Sequence, residues 1–237
     1  LTKTYLEPEE VARLEAAAVY LRDKLLIRMT FRLGCRISEA LGIAVEDIDF
    51  KQGTVTIEHL KNRIILTCPD CRGRLSKNAK YCPGCGRPVE VALASERERR
   101  RQRALPVDED TLEEIKKYIA NGGPVSSKGR TLLFGINRHR AWQIVRDCAN
   151  RAGFRELINP ETGKVHHVSP HKLRDAFAIM AVKQNDSGDG LRLLQEHLGH
   201  QSINTTMRYR KVAGEEHKDW YRKLWGGDNG DISDTND

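Results

Sequence analysis

The chain has 237 residues, 39% hydrophobic and 31% charged, enough for one large domain or two small ones around a real core. It contains no run of 18 apolar residues, so no membrane span is expected, and its polar start, LTKTYLEPEEVARL, is no signal peptide. The net charge is +7, and the final dozen residues, GGDNGDISDTND, hold four Asp and no Lys or Arg, so the remainder carries +11. A body that basic points to a polyanionic partner, most often nucleic acid, over a protein that merely happens to be basic.

In chain order, Pro8 followed by Glu9 and Glu10 predicts a helix start. Val11, Leu14, Ala18, Leu21 and Leu25 continue it at helical spacing. A second helical signal begins near Ser38, whose side chain can cap it. TVTIEHLK sets Val55, Ile57 and His59 against Thr54, Thr56 and Glu58, the alternation of a strand. SERERRRQRALPVD predicts a strand ending at Pro106. Leu112, Ile115 and Ile119 mark a helix stopped by NGGP, and Trp142, Val145 and Ala149 mark another. His171 to Gln184 reads as an amphipathic helix with Leu173, Phe177 and Met180 as its buried stripe. Leu191, Leu194 and Leu198 make the next, stopped by Gly199. A last helix carries Trp220, Tyr221, Leu224 and Trp225, and the acidic stretch 226–237 is expected to be disordered. The fold class expected is mainly α with one small antiparallel β-sheet (α+β), without internal repeats.

Between the two predicted strands stand Cys68-Pro-Asp-Cys71 and Cys82-Pro-Gly-Cys85, ten residues apart. Each pair sets two thiolates on one tight turn, and two such turns close a tetrahedron around zinc. A structural zinc ribbon over residues 66–90, inserted in the surrounding domain, is expected in preference to a redox pair. Four thiolates leave no open position, so the ion is expected to have no catalytic part. The neighbouring Arg72, Arg74, Lys77 and Lys80 suit either phosphate contact or a solvated surface. Cys35 and Cys148 lie among apolar residues and read as core.

Three further stretches carry chemistry. RLGCRISEALGI puts Arg36 at a helix entry beside Ser38 and Glu39. SPHKLRDAFA puts His171 and Arg174 three apart, on one face opposite the apolar stripe. LQEHLGHQSINTTMRYRK puts His200 after the glycine that ends a helix and Tyr209 nine residues later. Singly, each has an ordinary explanation in a cap, a solvated face or a half-buried aromatic. Together they supply two permanently charged guanidiniums that grip phosphate oxygens, imidazoles that donate or move a proton, and a hydroxyl nucleophile. That set suits attack on a DNA phosphodiester without a catalytic metal.

In this order and spacing, the three stretches resemble the signature boxes of the tyrosine recombinase (phage integrase) family, from about Leu6 to about Trp225 outside the cysteine insertion. The resemblance implies the catalytic-domain fold of that family over residues 1–225. It implies Arg36 and Arg174 as catalytic arginines, His171 and His200 as catalytic histidines, Tyr209 as nucleophile and Glu39 as the acidic residue supporting the site. It also implies a lysine general acid on the small sheet. Lys61 is the best match, although the cysteine module occupies the turn that follows, and Lys77 and Lys80 are outside candidates. Asp175, where many relatives carry histidine, is expected not to affect the chemistry. The implied activity is site-specific cleavage and rejoining of double-stranded DNA through a 3′-phosphotyrosine, with structural Zn2+, no catalytic cofactor, and a homo-oligomer culminating in a synaptic tetramer. A mobile-element integrase acting in the cytoplasm, on the nucleoid, is expected. So is a separate helical DNA-binding domain upstream of a chain that begins at Leu1. The alternatives are a type IB topoisomerase-like enzyme and a non-catalytic zinc-ribbon DNA-binding protein.

Overall fold

Glu10, in the first turn after Pro8, accepts a hydrogen bond from the backbone N–H of Glu7 at 2.8 Å, and this cap starts helix α1 (Pro8–Ala16). The single helix expected from Val11 to Leu25 is instead two. The chain turns after Ala16 and resumes at α2 (Leu21–Arg32), so that α2 folds back onto α1 and both Leu14 and Leu25 are buried. Arg28 ties the pair by donating to Glu15 at 2.9 Å. A computed structural model describes residues 4–154, 156–159 and 162–212, with side chains described there except at 59–64, 96–101 and 211–212. The expected helix of Trp220, Tyr221, Leu224 and Trp225, and the acidic stretch after it, lie outside the described residues.

Helix α2 is the centre of the domain. Leu25, Leu26, Ile27 and Met29 are all buried, and the helix packs against α1 and four later helices. It ends at Gly34, in the left-handed region at φ +53°, and the chain enters the short helix α3 (Ile37–Ala40). Its N-cap residue is Arg36 and not Ser38, because the capping acceptor is the Glu39 carboxylate, which takes the Arg36 backbone N–H at 2.9 Å.

A 3-10 turn then leads to an antiparallel sheet of β1 (Ile48–Asp49), β2 (Thr54–Thr67), β3 (Arg74–Leu75) and β4 (Leu93–Pro106). Strands β2 and β4 pair along their full lengths, from Thr54↔Pro106 to Thr67↔Leu93. Val55, Ile57 and Leu105, at the inner end of this two-stranded ribbon, belong to the main core. At its outer end Cys68, Leu75 and Cys82 form a small separate cluster. Lys61 therefore lies in the middle of a strand, opposite Arg99, and not at a strand end as expected. Regular pairing runs on to Thr67 before the cysteine module begins.

Helix α4 (Glu109–Ala120) starts at Asp108, which accepts from the backbone N–H of Thr111, and gives way to Gly122 and Gly123. Two short hairpins were not expected: β5 (Val125–Ser127) with β6 (Arg130–Leu132), and β7 (Leu157–Ile158) with β8 (Val165–His166). Strands of two or three residues are too short to show an alternation. The turn between β5 and β6 uses Lys128 and Gly129, both at positive φ, as a tight hairpin requires. Between the hairpins lies α5 (Arg138–Arg151), capped by Asn137.

Helix α6 (Pro170–Gln184) departs from the amphipathic reading. Arg174, Ala176, Ala178, Ile179 and Val182 are buried together with Leu173, so most of its circumference is covered. Phe177 and Met180 are only half-buried and line a groove of about 700 Å³ beside Val11, Phe31 and Pro106. Helix α7 (Gly188–Leu198) ends at Gly199 in the left-handed conformation, and α8 (Ile203–Val212) follows. Leu191, Leu194 and Leu198 of α7 pack with Ala178 and Val182 of α6 into a cluster separate from the main core, and Met207 and Tyr209 of α8 rest against it.

Gly34 is held by two constraints at once, since a Cβ there would lie 2.3 Å from the Phe177 ring and its φ is positive. Gly34→Ala is expected to lower unfolding stability by about 1–3 kcal/mol. Urea denaturation checks this, and an unchanged midpoint would contradict it.

Candidate active site

Glu39 is the side chain around which the site is built. It is 3% exposed and accepts from Arg36 Nη1 at 2.9 Å, from the Arg36 backbone N–H at 2.9 Å and from Arg103 Nη2 at 2.8 Å. Arg174 Nη1 lies 3.9 Å from the same carboxylate. Burial pushes the Glu39 carboxyl up, but the Arg103 bond and the Arg36 N–H outweigh it and hold the group down at about 2. Glu39 is thus an anion at any working pH, and one carboxylate gathers three guanidiniums from α3, β4 and α6.

Arg174 is 2% exposed, on the covered side of α6 and not on the face opposite the apolar stripe. Its Nη1 donates to the Gly34 carbonyl at 2.7 Å and its Nη2 to the Leu198 carbonyl at 2.9 Å, both of them oxygens at helix ends. The same Nη2 lies 3.0 Å from His200 Nε2. A guanidinium only donates, so Nε2 is the acceptor, and the ring proton sits on Nδ1, which donates to Thr206 Oγ1 at 2.9 Å. Burial, with Arg174 and Arg36 close by, pulls the His200 imidazole down to about 4, so it is neutral at pH 7.

Tyr209 on α8 stacks against His200, with ring centroids 6.1 Å apart and planes 15° from parallel. Burial, and then the Asp175 carboxylate, raise the phenol above its usual pKa, against the Arg174 charge. His171 is the exposed member of the set, its side chain 74% accessible, with Nε2 3.8 Å from Asp175 Oδ1. Arg36, His171, Arg174, Asp175, His200 and Tyr209 all line one cavity of about 390 Å³. It is lined by cations, a phenol and a single carboxylate. That arrangement fits a phosphodiester. The structure brings together five of the six side chains expected in catalysis; the sixth, Lys61, is placed by its backbone alone, on β2.

At the far end of the ribbon, the four thiols of Cys68, Cys71, Cys82 and Cys85 lie within 4.8 Å of one another. The Cys71–Cys82 and Cys68–Cys85 sulfur separations are 3.5 and 3.8 Å. Zn–S bonds of about 2.3 Å imply tetrahedral edges of about 3.8 Å, whereas a disulfide needs about 2.05 Å. The backbone N–H groups of Gly73 and Gly84 point at Cys71 and Cys82 sulfurs at 3.4 and 3.3 Å, as a thiolate site requires. The cluster is compatible with a zinc site. Cys35 and Cys148 are buried apart from it, as expected of core residues.

A family model described as "Phage integrase family" matches residues 4–70 and 89–216. The chain belongs to the phage integrase family. The two matched stretches leave out 71–88, which contain three of the four clustered cysteines. The chain is 29% identical over 223 residues to tyrosine recombinase XerD of Neisseria meningitidis serogroup B, covering 89% of this chain and 59% of that protein. It spans little more than half the length of such relatives. The XerA recombinase crystal structure aligns with a TM-score of 0.61 at 19% identity, over 94% of this chain and 66% of that one. The XerH site-specific recombinase in its post-cleavage complex with palindromic difH aligns at 0.60 and 20% identity, over 95% and 54%. The fold is that of tyrosine recombinase catalytic domains.

Two residues of this site, Arg103 and Thr206, escaped the sequence reading, and a third, Asp175, was set apart from it. Arg103 had a usable signal, because it lies two positions from the core residue Leu105 and opposite Ile57, on the inward face of β4. An inward charge demands a buried partner, here Glu39. Thr206 is fully buried against His200, but nothing in its neighbourhood distinguishes it from Thr205. Asp175 was expected not to affect the chemistry; it lines the same cavity, and its charge helps raise the Tyr209 phenol.

The lowered His200 pKa sets a pH dependence. An unfolded imidazole takes its proton near pH 6.5, while the folded one resists until about 4, so stability from this group falls as pH drops through that window. NMR titration of the DNA-free protein should find His200 neutral at pH 5.5, and a midpoint near 6.5 would contradict the site's electrostatics.

Proposed function

We propose that the chain is the catalytic part of a site-specific DNA recombinase that cleaves and rejoins double-stranded DNA through a 3′-phosphotyrosine. The observation that carries this is the lining of one cavity by Tyr209, Arg36, Arg174, His171 and His200 together, in a member of the phage integrase family. In the proposed reaction the scissile phosphate displaces solvent between Arg36, Arg174 and His200. The Tyr209 oxygen attacks phosphorus and its proton leaves toward His171, which Asp175 steadies. The bond to the 5′ oxygen breaks, and Lys61 supplies the proton that oxygen needs. Arg36 and Arg174 stabilise the charge that grows on the non-bridging oxygens. The incoming phosphate anion offsets the cations that suppress His200 protonation, so the imidazole becomes a better donor as the substrate binds. A 5′-hydroxyl from a second strand reverses these steps and frees Tyr209.

Strand exchange between two duplexes needs four active sites, so the working form proposed is a homo-tetramer on DNA. Among the described residues no helix is long and apolar enough to cross a membrane. The proposed setting is the cytoplasm, on the nucleoid, and the proposed role is movement of a mobile genetic element. Cys68, Cys71, Cys82 and Cys85 would hold a structural Zn2+, which when bound crosslinks the two turns; residues 66–90 form the inserted module of the 1–225 catalytic domain.

Two experiments test these readings. On a nicked suicide duplex, without added metal, the wild type is expected to form a covalent protein–DNA band on a denaturing gel, and Tyr209→Phe none. Binding without a band, even with an upstream DNA-binding domain supplied, would favour a non-catalytic binder. Elemental analysis should find one zinc per chain. Chelation should make four thiols reactive while the thermal transition of the main core stays in place, and a cysteine module that is inert to chelators would contradict the zinc assignment.

A further inference from the structure

The register of the β2–β4 ribbon sorts charge by face. Directly opposed residues share a face, and alternate residues along each strand return to it. The face that begins with Ile57↔Arg103 at the active site continues outward as His59↔Arg101, Lys61↔Arg99 and Arg63↔Arg97. All six of those positions are basic or histidine. The opposite face reads Glu58↔Gln102, Leu60↔Arg100, Asn62↔Glu98 and Ile64↔Glu96, and it receives every acidic residue in the stretch.

This sorting opposes the stability of the ribbon. Like charges directly across an antiparallel pair are destabilising, and two such pairs, Lys61↔Arg99 and Arg63↔Arg97, stand in succession beyond His59↔Arg101. Exchanging a Glu with an Arg between neighbouring positions of β4 would turn them into attractive pairs at no loss of strand propensity. Among the described side chains, Val55, Ile57 and Leu105 at the inner end of the ribbon belong to the main core. A sorting of charge by face that opposes the pairing of the strands marks a functional surface.

We infer that this face of the ribbon is a phosphate track that holds the duplex between the active site and the cysteine module. The inference rests on the recombinase reading for its ligand. Like-charge pairs are relieved by a polyanion laid along them. Alternate strand positions repeat about every 6.8 Å, so the stretch from Ile57 to Arg63 spans about 20 Å. That matches about six nucleotides of one DNA strand at about 3.4 Å each. The track starts at Arg103, which is bonded to Glu39 in the catalytic cluster, so DNA lying on it is continuous with DNA whose phosphate occupies the cavity. The contact is to backbone, so it sets register and affinity and carries no sequence code.

Neighbouring residues on β4 provide the test. Arg99→Gln and Arg100→Gln remove the same charge from adjacent positions on opposite faces. Binding of each zinc-loaded protein to a duplex of arbitrary sequence, about four helical turns long, is measured across a salt series. Arg99→Gln is expected to lower the slope of log K against log salt by about 0.9, and the Arg97→Gln, Arg101→Gln double variant by about 1.8. Arg100→Gln is expected to leave it unchanged. Equal effects from Arg99 and Arg100, or no effect from either, would overturn the track. Equal zinc content across the variants verifies that the module is folded. The wild-type suicide-duplex experiment run in parallel separates the two readings. A covalent band with indistinguishable slopes removes the track alone; distinct slopes without a band remove the recombinase reading alone.

Discussion

A single buried carboxylate organises this domain. Glu39 is reached by Arg36 from its own helix, Arg103 from the sheet and Arg174 from the helix across the core. Without it three guanidiniums would be forced together in a half-dry space, where mutual repulsion is weakly screened. With it, the net charge of the cluster is still positive by two, enough to attract a phosphate and small enough to fold. The carboxylate also ends its own backbone problem, since it accepts the first free N–H of α3. Capping, core charge balance and substrate attraction thus meet in one side chain.

The next layer uses backbone oxygens. Arg174 spends two of its donors on the carbonyls of Gly34 and Leu198, one at the end of α2 and one at the end of α7. Helix C-termini carry partial negative charge, so both are suitable seats for a buried cation. A lysine could not bridge them and still reach His200, because it lacks the planar fork. His200 in turn is fixed by the left-handed turn at Gly199 and by Thr206, which lies on the helix that bears Tyr209. Arg174, His200 and the helix that bears Tyr209 are therefore positioned through one chain of hydrogen bonds.

Much of this was legible in the sequence, for physical reasons. The helices α4, α5 and α7 show clean apolar spacing because each has one wet face. Tyr209, His200 and Arg36, each with an ordinary explanation alone, were legible through their combination with His171 and Arg174 and the resemblance of the three stretches to the family's signature boxes. The cysteine pairs were legible because a metal's ligand spacing is local. Less legible were contacts made across long sequence separations. Arg103 meets Glu39 from 64 residues away, and only strand register puts it inward. The break between α1 and α2 was hidden because apolar spacing continues through the turn. Helix α6 was misread as amphipathic because its covered polar residue, Arg174, is counted as polar by any pattern that ignores partners. The placement of Lys61 in mid-strand followed from pairing that persists through a charged stretch with little local strand signal.

The separation of the two apolar clusters has a mechanical meaning. The segment bearing Tyr209 is anchored to a group of five buried residues on α6 and α7, not to the main core around α2. Four of its residues, Asn204, Thr205, Arg208 and Arg210, face water. Lifting its described residues away would expose Thr206, Met207, Tyr209 and the small patch beneath them and break the Thr206 bond to His200, a local opening that costs a fraction of global unfolding. The arginine pocket would keep its shape during such a departure, because Glu39, Gly34 and Leu198 all stay behind. Among the described residues, the Tyr209 phenol thus rests on the smaller of the two apolar clusters, while the short helix that carries Glu39 packs on the larger.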